Sequence, residues 1–236
     1  MVGKGVAILF AVLLSVSFSH AAEVKLINER LDVDLQLADA PKIEFRKGQT
    51  FSPRVDSVNQ WLLVKVEFTA KKNLSAPKME AGKRGRVFFG SSIDDVEVRV
   101  RVLMDTHFKR DQKAVYCLYS GKTEFYSVKC DGKKHLAVMF VPAKLIDRYS
   151  LMHDGQTRKM SKKDFMAEAV ISRGGQVLAR GYCNISGSKA FGNALLQVPE
   201  NLHIVGGAFP RSRTPWALIG FDGFDLEKEP FIPERD

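Results

Sequence analysis

The clearest pattern in the chain is the alternation of apolar and charged residues over Val96–Met104. The apolar positions are Val96, Val98, Val100, Val102 and Met104, and the charged positions between them are Glu97, Arg99 and Arg101. Successive side chains of a β-strand point to opposite faces, so this period of two predicts a strand with one buried and one solvated face. A helix would scatter the valines around its circumference, where β-branched residues also lose rotamer freedom.

Further segments show a strand pattern. Val24–Leu37 alternates most clearly near its end and predicts a first strand near a sheet edge, and Trp61–Ala70 predicts a second strong strand. Leu136–Val141 is a continuous apolar run, short enough for a strand that is buried on both faces. Leu202–Val205 and Ala217–Phe221 predict short strands, the last of them closing the core behind Trp216.

Two hairpins are predicted from glycine-containing turns. Lys113–Val128 is interpreted as a hairpin that turns at Ser120-Gly121, and Phe165–Cys183 as one that turns at Gly174-Gly175. Glycines accept the positive φ angles that a two-residue hairpin turn needs. In the second hairpin this turn predicts that Ile171 faces Leu178 and Ala167 faces Tyr182, which pairs apolar side chains across the ladder.

These segments predict the fold class. They amount to eight or nine strands, with Pro142–Tyr149 as one or two helical turns, Phe191–Val198 as a short helix or irregular segment, and no βαβ alternation. Short strands between turn signals favour an all-β, antiparallel two-sheet sandwich of immunoglobulin type, with long basic loops. The Cys…Trp…Cys spacing of antibody domains is absent.

The N-terminus predicts export. Met1–Gly5 carries one charge, Val6–Phe18 is apolar or small, and Ser19-His20-Ala21 supplies small residues at the −3 and −1 positions of a cleavage site. The apolar run is shorter than the about 20 residues that span a bilayer. Residues 1–21 are therefore a predicted signal peptide, and residues 22–236 a single β-sandwich domain that does not span the membrane.

Charge gives the candidate binding residues. The formal net charge is +9, which draws an exported domain towards anionic surfaces. Cations concentrate in two predicted loops, Lys71–Arg86 and Leu151–Lys163, and in Lys133, Lys134 and His135. The weak anion-binding candidates in the two loops are Lys83, Arg84, Arg86, Arg158, Lys159, Lys162 and Lys163. The alternative is that both loops are simply solvated. Aromatic residues do not interleave with them, so no nucleic acid is expected.

The chemistry of the common enzyme classes is not evident. No His-x-His, Cys-x-x-Cys, Gly-x-Ser-x-Gly or phosphate-binding glycine loop occurs, so we expect neither a metal nor a cofactor. Dispersed carboxylates such as Asp94, Asp95, Asp222 and Asp225 remain available for a glycosidase pair, although acids at strand ends are usually turn residues. Both tryptophans are expected to pack in the core, with a sugar platform at Trp216 as the alternative.

Three cysteines leave the redox state open. In the predicted hairpin, Cys130 lies about 20 Å along its strand from the residue opposite Cys117, whereas a disulfide needs Cα atoms within about 7 Å. This disfavours that pair. Either one of the two reaches Cys183, or all three are buried thiols.

Four short motifs stand out as a set. They are Asp131-Gly132-Lys133-Lys134-His135, Phe140-Val141-Pro142, Leu145-Ile146-Asp147-Arg148-Tyr149 and Thr214-Pro215-Trp216. Together they resemble a group of small exported pilus-like proteins of Verrucomicrobia. The resemblance implies an immunoglobulin-like sandwich in the periplasm or at the outer membrane, association with type IV pilus-like envelope proteins, assembly as an oligomer, and no catalytic residue. We therefore expect a non-enzymatic structural or interaction protein, with a module that binds acidic glycans or other anions as the alternative.

Overall fold

Strands dominate the structure, a computed structural model that describes residues 31–41, 43–44, 50–51, 57–71, 92–150 and 155–218. In chain order the strands are β1 (Asp32–Ala38), β2 (Ile43–Glu44), β3 (Thr50–Phe51), β4 (Trp61–Lys71), β5 (Ser92–Arg110), β6 (Lys113–Lys129), β7 (Asp131–Val141), β8 (Phe165–Arg173), β9 (Gln176–Cys183), β10 (His203–Val205) and β11 (Phe209–Pro210). The α-helices are α1 (Ala143–Tyr149) and α2 (Ser188–Leu195), and 3-10 helices span Lys162–Asp164, Glu200–Leu202, Arg211–Arg213 and Pro215–Leu218.

The longer strands form two sheets that face each other. One has the order β1-β4-β7-β11 and the other the order β10-β6-β5-β8-β9, while β2 and β3 form a two-stranded ribbon. A continuous apolar cluster lies between the two sheets, which confirms the predicted β-sandwich. The pairing is mixed and not purely antiparallel, because β10 runs parallel to β6. The chain reaches β10 from α2, which packs beside the first half of β6.

The number of strands differs from the prediction. Eleven strands lie within the described ranges, against the eight or nine predicted. Four of them, namely β2, β3, β10 and β11, have two or three residues each. β10 confirms the predicted short strand Leu202–Val205, whereas pairings as short as those of β3 and β11 show no clear period of two in the sequence.

β5 forms the centre of the five-stranded sheet, as its alternation predicts. All five apolar side chains from Val96 to Met104 are 1% exposed or less and lie in the core. The intervening charged residues lie on the outer face of the sheet, although Leu103 on that face is also fully buried. The outer face of the five-stranded sheet is therefore also covered in part, at Leu103, by Phe191 of α2.

The second sheet confirms three further predictions. β1 lies at its edge, and β4 matches Trp61–Ala70. β7 is buried on both faces, since Ala137, Met139 and Val141 belong to the main core. Val138 and Phe140 point the other way and pack with Leu63 and Trp216 in a second cluster.

β6 corrects the first predicted hairpin. Lys113–Lys129 is one strand that continues through Ser120 and Gly121, and Gly121 pairs with Val100 of β5. The turn lies instead at Asp111 and Gln112, both with positive φ (52° and 64°). Gly121 is needed for a different reason: a Cβ there would lie 1.8 Å from the carbonyl oxygen of Ala208, which crosses directly over it.

The β8–β9 hairpin is confirmed, but its register differs by one residue. Gly174 and Gly175 form the turn with φ of 54° and 83°. Ser172 pairs with Val177 while Ile171 pairs with Ala179, so Leu178 is the extra residue of a bulge. Because of that residue, Ile171 does not face Leu178, and Ala167 faces Cys183 and not Tyr182.

α1 confirms the predicted helical turns at Pro142–Tyr149, with Pro142 as its N-cap. Of the two alternatives for Phe191–Val198 the short helix is the one observed, but α2 begins and ends three residues earlier. Residues 217 and 218 belong to a 3-10 helix and not to a closing strand, because the chain bends at Thr214-Pro215 to place Trp216 on the second sheet. The predicted signal peptide 1–21, the start of the Val24–Leu37 strand, and residues Lys83, Arg84, Arg86, Asp222 and Asp225 lie outside the described residues.

Candidate interaction surface

A polar cluster at one end of the sandwich explains the Leu145–Tyr149 motif. The Asp147 carboxylate, on α1, accepts hydrogen bonds from Ser57 Oγ at 2.5 Å, from the Val58 amide at 3.2 Å and from the Asn59 amide at 3.0 Å. These donors belong to the segment before β4. The motif therefore fastens α1 to the second sheet, and it has a structural role here.

The side chain of Asn59 extends this cluster to a third segment. It is 6% exposed, and its Nδ2 donates to Asp147 Oδ1 at 2.8 Å and to the Arg158 carbonyl at 2.9 Å. Its Oδ1 accepts from the amide of buried Met160 at 2.6 Å. The loop that carries the predicted anion-binding residues is thus tied to the sandwich through its main chain.

The four described loop cations have different surroundings. Arg158 is half-buried, and Lys162 Nζ forms an ion pair with Asp34 at 2.6 Å. Lys159 and Lys163 are exposed, and no ion pair is described for them. Two residues of the Lys133-Lys134-His135 cluster also differ from each other. Lys134 pairs with Glu67 at 2.7 Å, while His135 is buried and stacks on Phe68.

Both tryptophans pack, as predicted. The ring of Trp216 stacks on Phe140 at a centroid distance of 4.7 Å and meets Trp61 edge-on at 5.0 Å. Trp216 is 6% exposed, so its face is covered by protein. The Thr214-Pro215-Trp216 motif closes the outer face of the second sheet at this point, and its ring offers no open sugar platform.

A buried ion cluster lies on the outer face of the five-stranded sheet. Glu168, at 2% side-chain exposure, accepts hydrogen bonds from Arg101 Nε at 2.6 Å, from Arg180 Nη1 at 3.0 Å and from Tyr182 Oη at 3.2 Å. The Arg101 guanidinium also lies over the ring of Phe191 of α2, 5.4 Å from its centroid. The carboxylate is fully occupied by these donors, which gives it the role of a structural partner.

Further along the same face, charged side chains alternate in sign. Lys122 Nζ contacts Glu97 at 3.0 Å and Glu124 at 2.8 Å, and Arg99 contacts Glu97 at 2.8 Å. Partial burial opposes ionisation of Glu97, but hydrogen bonds and charges from Lys122 and Arg99 bring its pKa below the ordinary value. Glu97 and Lys122 are therefore a charged pair at neutral pH within this ladder of alternating side chains.

A groove opens beside this ladder, where β6 passes the segment from β10 to β11. Its volume is about 600 Å³, and Arg99, Lys122, Glu124, Val205, Pro210 and Arg213 line part of it. Val205 is 80% exposed. The sequence patterns did not indicate this groove, because its two walls are some 80 residues apart in the chain and meet through the parallel β6–β10 pairing.

The cysteines are thiols in this structure, and the Cys117–Cys130 disulfide that we disfavoured is not formed. The reason is stronger than predicted: Cys117 lies within β6 and Cys130 directly follows it, so the strand holds them far apart. Burial raises the pKa of the Cys117 thiol to about 12, and burial also raises the pKa of Cys130 and Cys183. Such thiols are poor nucleophiles at neutral pH.

Within the described ranges, no three His, Cys, Asp or Glu side chains come close enough to hold a metal ion together. Within the same ranges, no helix combines the length and the apolar character needed to cross a bilayer.

Comparison with known proteins shows the fold. No protein-family model and no curated protein matches the chain. A protein from Akkermansia muciniphila, known from its crystal structure, is similar with a TM-score of 0.55 and 11% sequence identity, over 85% of this chain and 93% of that one. At this identity the similarity concerns the fold alone.

Proposed function

We propose that this chain is a non-enzymatic, exported interaction protein of the cell envelope that assembles with type IV pilus-like components. The observation that carries the proposal is the resemblance of the motifs to pilus-like proteins of Verrucomicrobia. It is supported by the similar fold, over 85% of the chain, of a protein from Akkermansia muciniphila, a member of that group. In this proposal residues 1–21 direct export and residues 22–236 act as one domain in the periplasm or at the outer membrane.

Fractionation and cross-linking in the source organism test this proposal. We expect the protein in the periplasmic or outer-membrane fraction, beginning at Ala22, and cross-linked to secretin or pilus-subunit proteins that are identified by mass spectrometry. A cytosolic protein that retains residues 1–21 would contradict export. An exported protein whose cross-links join no pilus-like component would contradict the assembly role.

Binding of acidic glycans is the second candidate function, because Lys159 and Lys163 are exposed cations on one loop. This function predicts salt-sensitive retention on heparin that is lost when both lysines are replaced by glutamate. Lys129→Glu together with Arg173→Glu, at the end of the five-stranded sheet remote from Phe165 and this loop, is a control with the same change in net charge. Equal losses in the two double variants would indicate an effect of net charge and contradict a local site.

A further inference from the structure

We propose that the outer edge of β6 at Lys122 and Glu124 receives an extended strand from a partner protein, in which apolar residues alternate with acidic ones. The inference rests on the proposed function in one respect, namely that the partner is another envelope protein. It adds a location, a binding mode and a partner chemistry. Strand addition of this kind uses the main chain for affinity and alternate side chains for specificity.

The edge already accepts a strand from its own chain. β10 pairs with residues 118–120 of β6, the Tyr116 amide donates to the Gln197 carbonyl at 3.3 Å, and the Ala208 amide donates to the Ser120 carbonyl at 3.2 Å. Residues 116 and 120 thus turn their main-chain groups towards this edge. The period of two in a strand places the main-chain groups of Lys122 and Glu124 on the same edge.

The chain leaves the edge just before these two residues. After Val205, Gly206 adopts a φ of 72°, and Ala208 crosses Gly121 to reach β11 in the opposite sheet. Within the described ranges, no strand is paired with this edge beyond Ser120. A strand edge that continues past its last partner is a template for another strand.

The groove specifies the chemistry of the incoming strand. Arg99, Lys122 and Arg213 line it with one acid, Glu124, and Arg99 and Lys122 also contact Glu97, so the cations exceed the acids by one. Val205, Phe209 and Pro210 supply apolar surface. Arg213 is exposed, and no ion pair is described for it. In an added strand, side chains on the outer face would lie beside Lys122 and Val205, where the excess of cations favours acids, and the alternate side chains would face Phe209 and Pro210 of β11 in the opposite sheet.

A synthetic peptide of four valine–glutamate repeats, capped at both ends, is the probe. We expect its titration into the isotope-labelled chain to shift the amide signals of Lys122 and Glu124, while four valine–lysine repeats shift neither. Two further peptides carry N-methyl groups on every second main-chain amide, one peptide at the valines and the other at the glutamates. One of these peptides should bind at least tenfold more weakly than the unmethylated peptide and the other should keep its affinity, because one edge alone pairs with β6.

A pair of protein variants checks the same edge. Glu124→Pro and Glu124→Val both remove the carboxylate, but proline alone removes an outward amide. We expect the proline variant to bind the peptide at least tenfold more weakly than the valine variant, with both folded by near-ultraviolet circular dichroism. If the proline variant fails to fold, the two N-methylated peptides decide the question.

Four results would overturn the inference. Two of them are equal binding of both N-methylated peptides and equal affinity of the proline and valine variants. The third is displacement of the peptide by polygalacturonate, which is expected of a simple anion site. The fourth is the absence of amide shifts at Lys122 and Glu124, which is expected if another part of this chain fills the groove. These results concern the edge of β6 and leave export and the envelope partners to the cross-linking experiment, so the two proposals fail separately.

Discussion

At the scale of single residues, the buried amide of Asn59 joins the segment before β4, helix α1 and the loop at Met160. We predict that Asn59→Ala lowers the free energy of unfolding by about 2–3 kcal/mol, since it leaves the buried Met160 amide without its acceptor and removes one of the donors to Asp147. Urea unfolding measures the change. Gln60→Ala is the matched control, because its bond to Asp39 is exposed and its loss should cost less than about 0.5 kcal/mol. Equal effects of the two variants would contradict this role of Asn59.

Gly121 gives a second prediction at the same scale. The alanine Cβ of Gly121→Ala would meet the main-chain oxygen of Ala208, which cannot rotate away, so the crossing to β11 must shift. We expect a loss of about 1–3 kcal/mol and weaker hydrogen-exchange protection in β10. Gly192→Ala in α2 is the control, because nothing lies within 4 Å of its added Cβ, and it should be neutral or stabilising by up to about 1 kcal/mol. A Gly121→Ala variant with unchanged protection in β10 would contradict the close approach.

At the scale of elements, strands were predictable wherever long alternation is consistent with local turn chemistry. β5 and β4 follow from their valines and leucines, and the β8–β9 hairpin from its glycines. The hairpin within β6 was wrong because Gly121 serves a contact with Ala208, which is remote in sequence. The real turn at Asp111-Gln112 has no glycine to mark it. Glycine signals a special backbone requirement but not which one.

The β8–β9 turn allows the free-energy cost of a positive φ angle to be measured. Gly174 and Gly175 have positive φ and open space around an added Cβ, so the cost of a side chain there is one of backbone conformation alone. We predict that Gly175→Val destabilises the chain by about 1–2 kcal/mol, whereas Gly174→Asn is tolerated, because asparagine accepts the left-handed region. Thermal unfolding compares the two. Equal losses would show that something other than φ governs the turn.

The candidate site was less predictable than the fold. The basic loops drew attention because cations are visible in any sequence, yet Lys162 pairs with Asp34, and Arg158 is half-buried beside the Asn59 cluster. The groove beside β6 depends on β10 joining in parallel after a long connection, and no local pattern encodes such a pairing. Leu103 shows the same limit, because α2 covers it from a distant part of the chain.

At the scale of the whole molecule, both sides of the sandwich are closed by close main-chain contacts. On one side Leu31, next to β1, lies against Gly181 of β9, where an added Cβ would meet the Leu31 carbonyl oxygen at 2.7 Å. On the other side the β10–β11 crossing lies on Gly121. The core between them is sealed, which is why the Cys117 thiol and the Tyr119 hydroxyl within it are kept from water.

Because these groups are kept from water, the stability of the protein falls at alkaline pH. Burial raises the pKa of Cys117 from an ordinary value near 9 to about 12, so above pH 9 the unfolded chain releases a proton that the folded chain keeps. Stability therefore falls as pH rises from 9 to 12, by up to about 1.4 kcal/mol per pH unit from this group. Burial likewise raises the pKa of Tyr119, which adds to the loss above its ordinary value near 10. Urea unfolding between pH 8 and 11 measures the slope, and Cys117→Ala should reduce it between pH 9 and 10, whatever the variant costs at pH 8. Identical slopes for the two proteins would mean that Cys117 is not shielded as the structure describes.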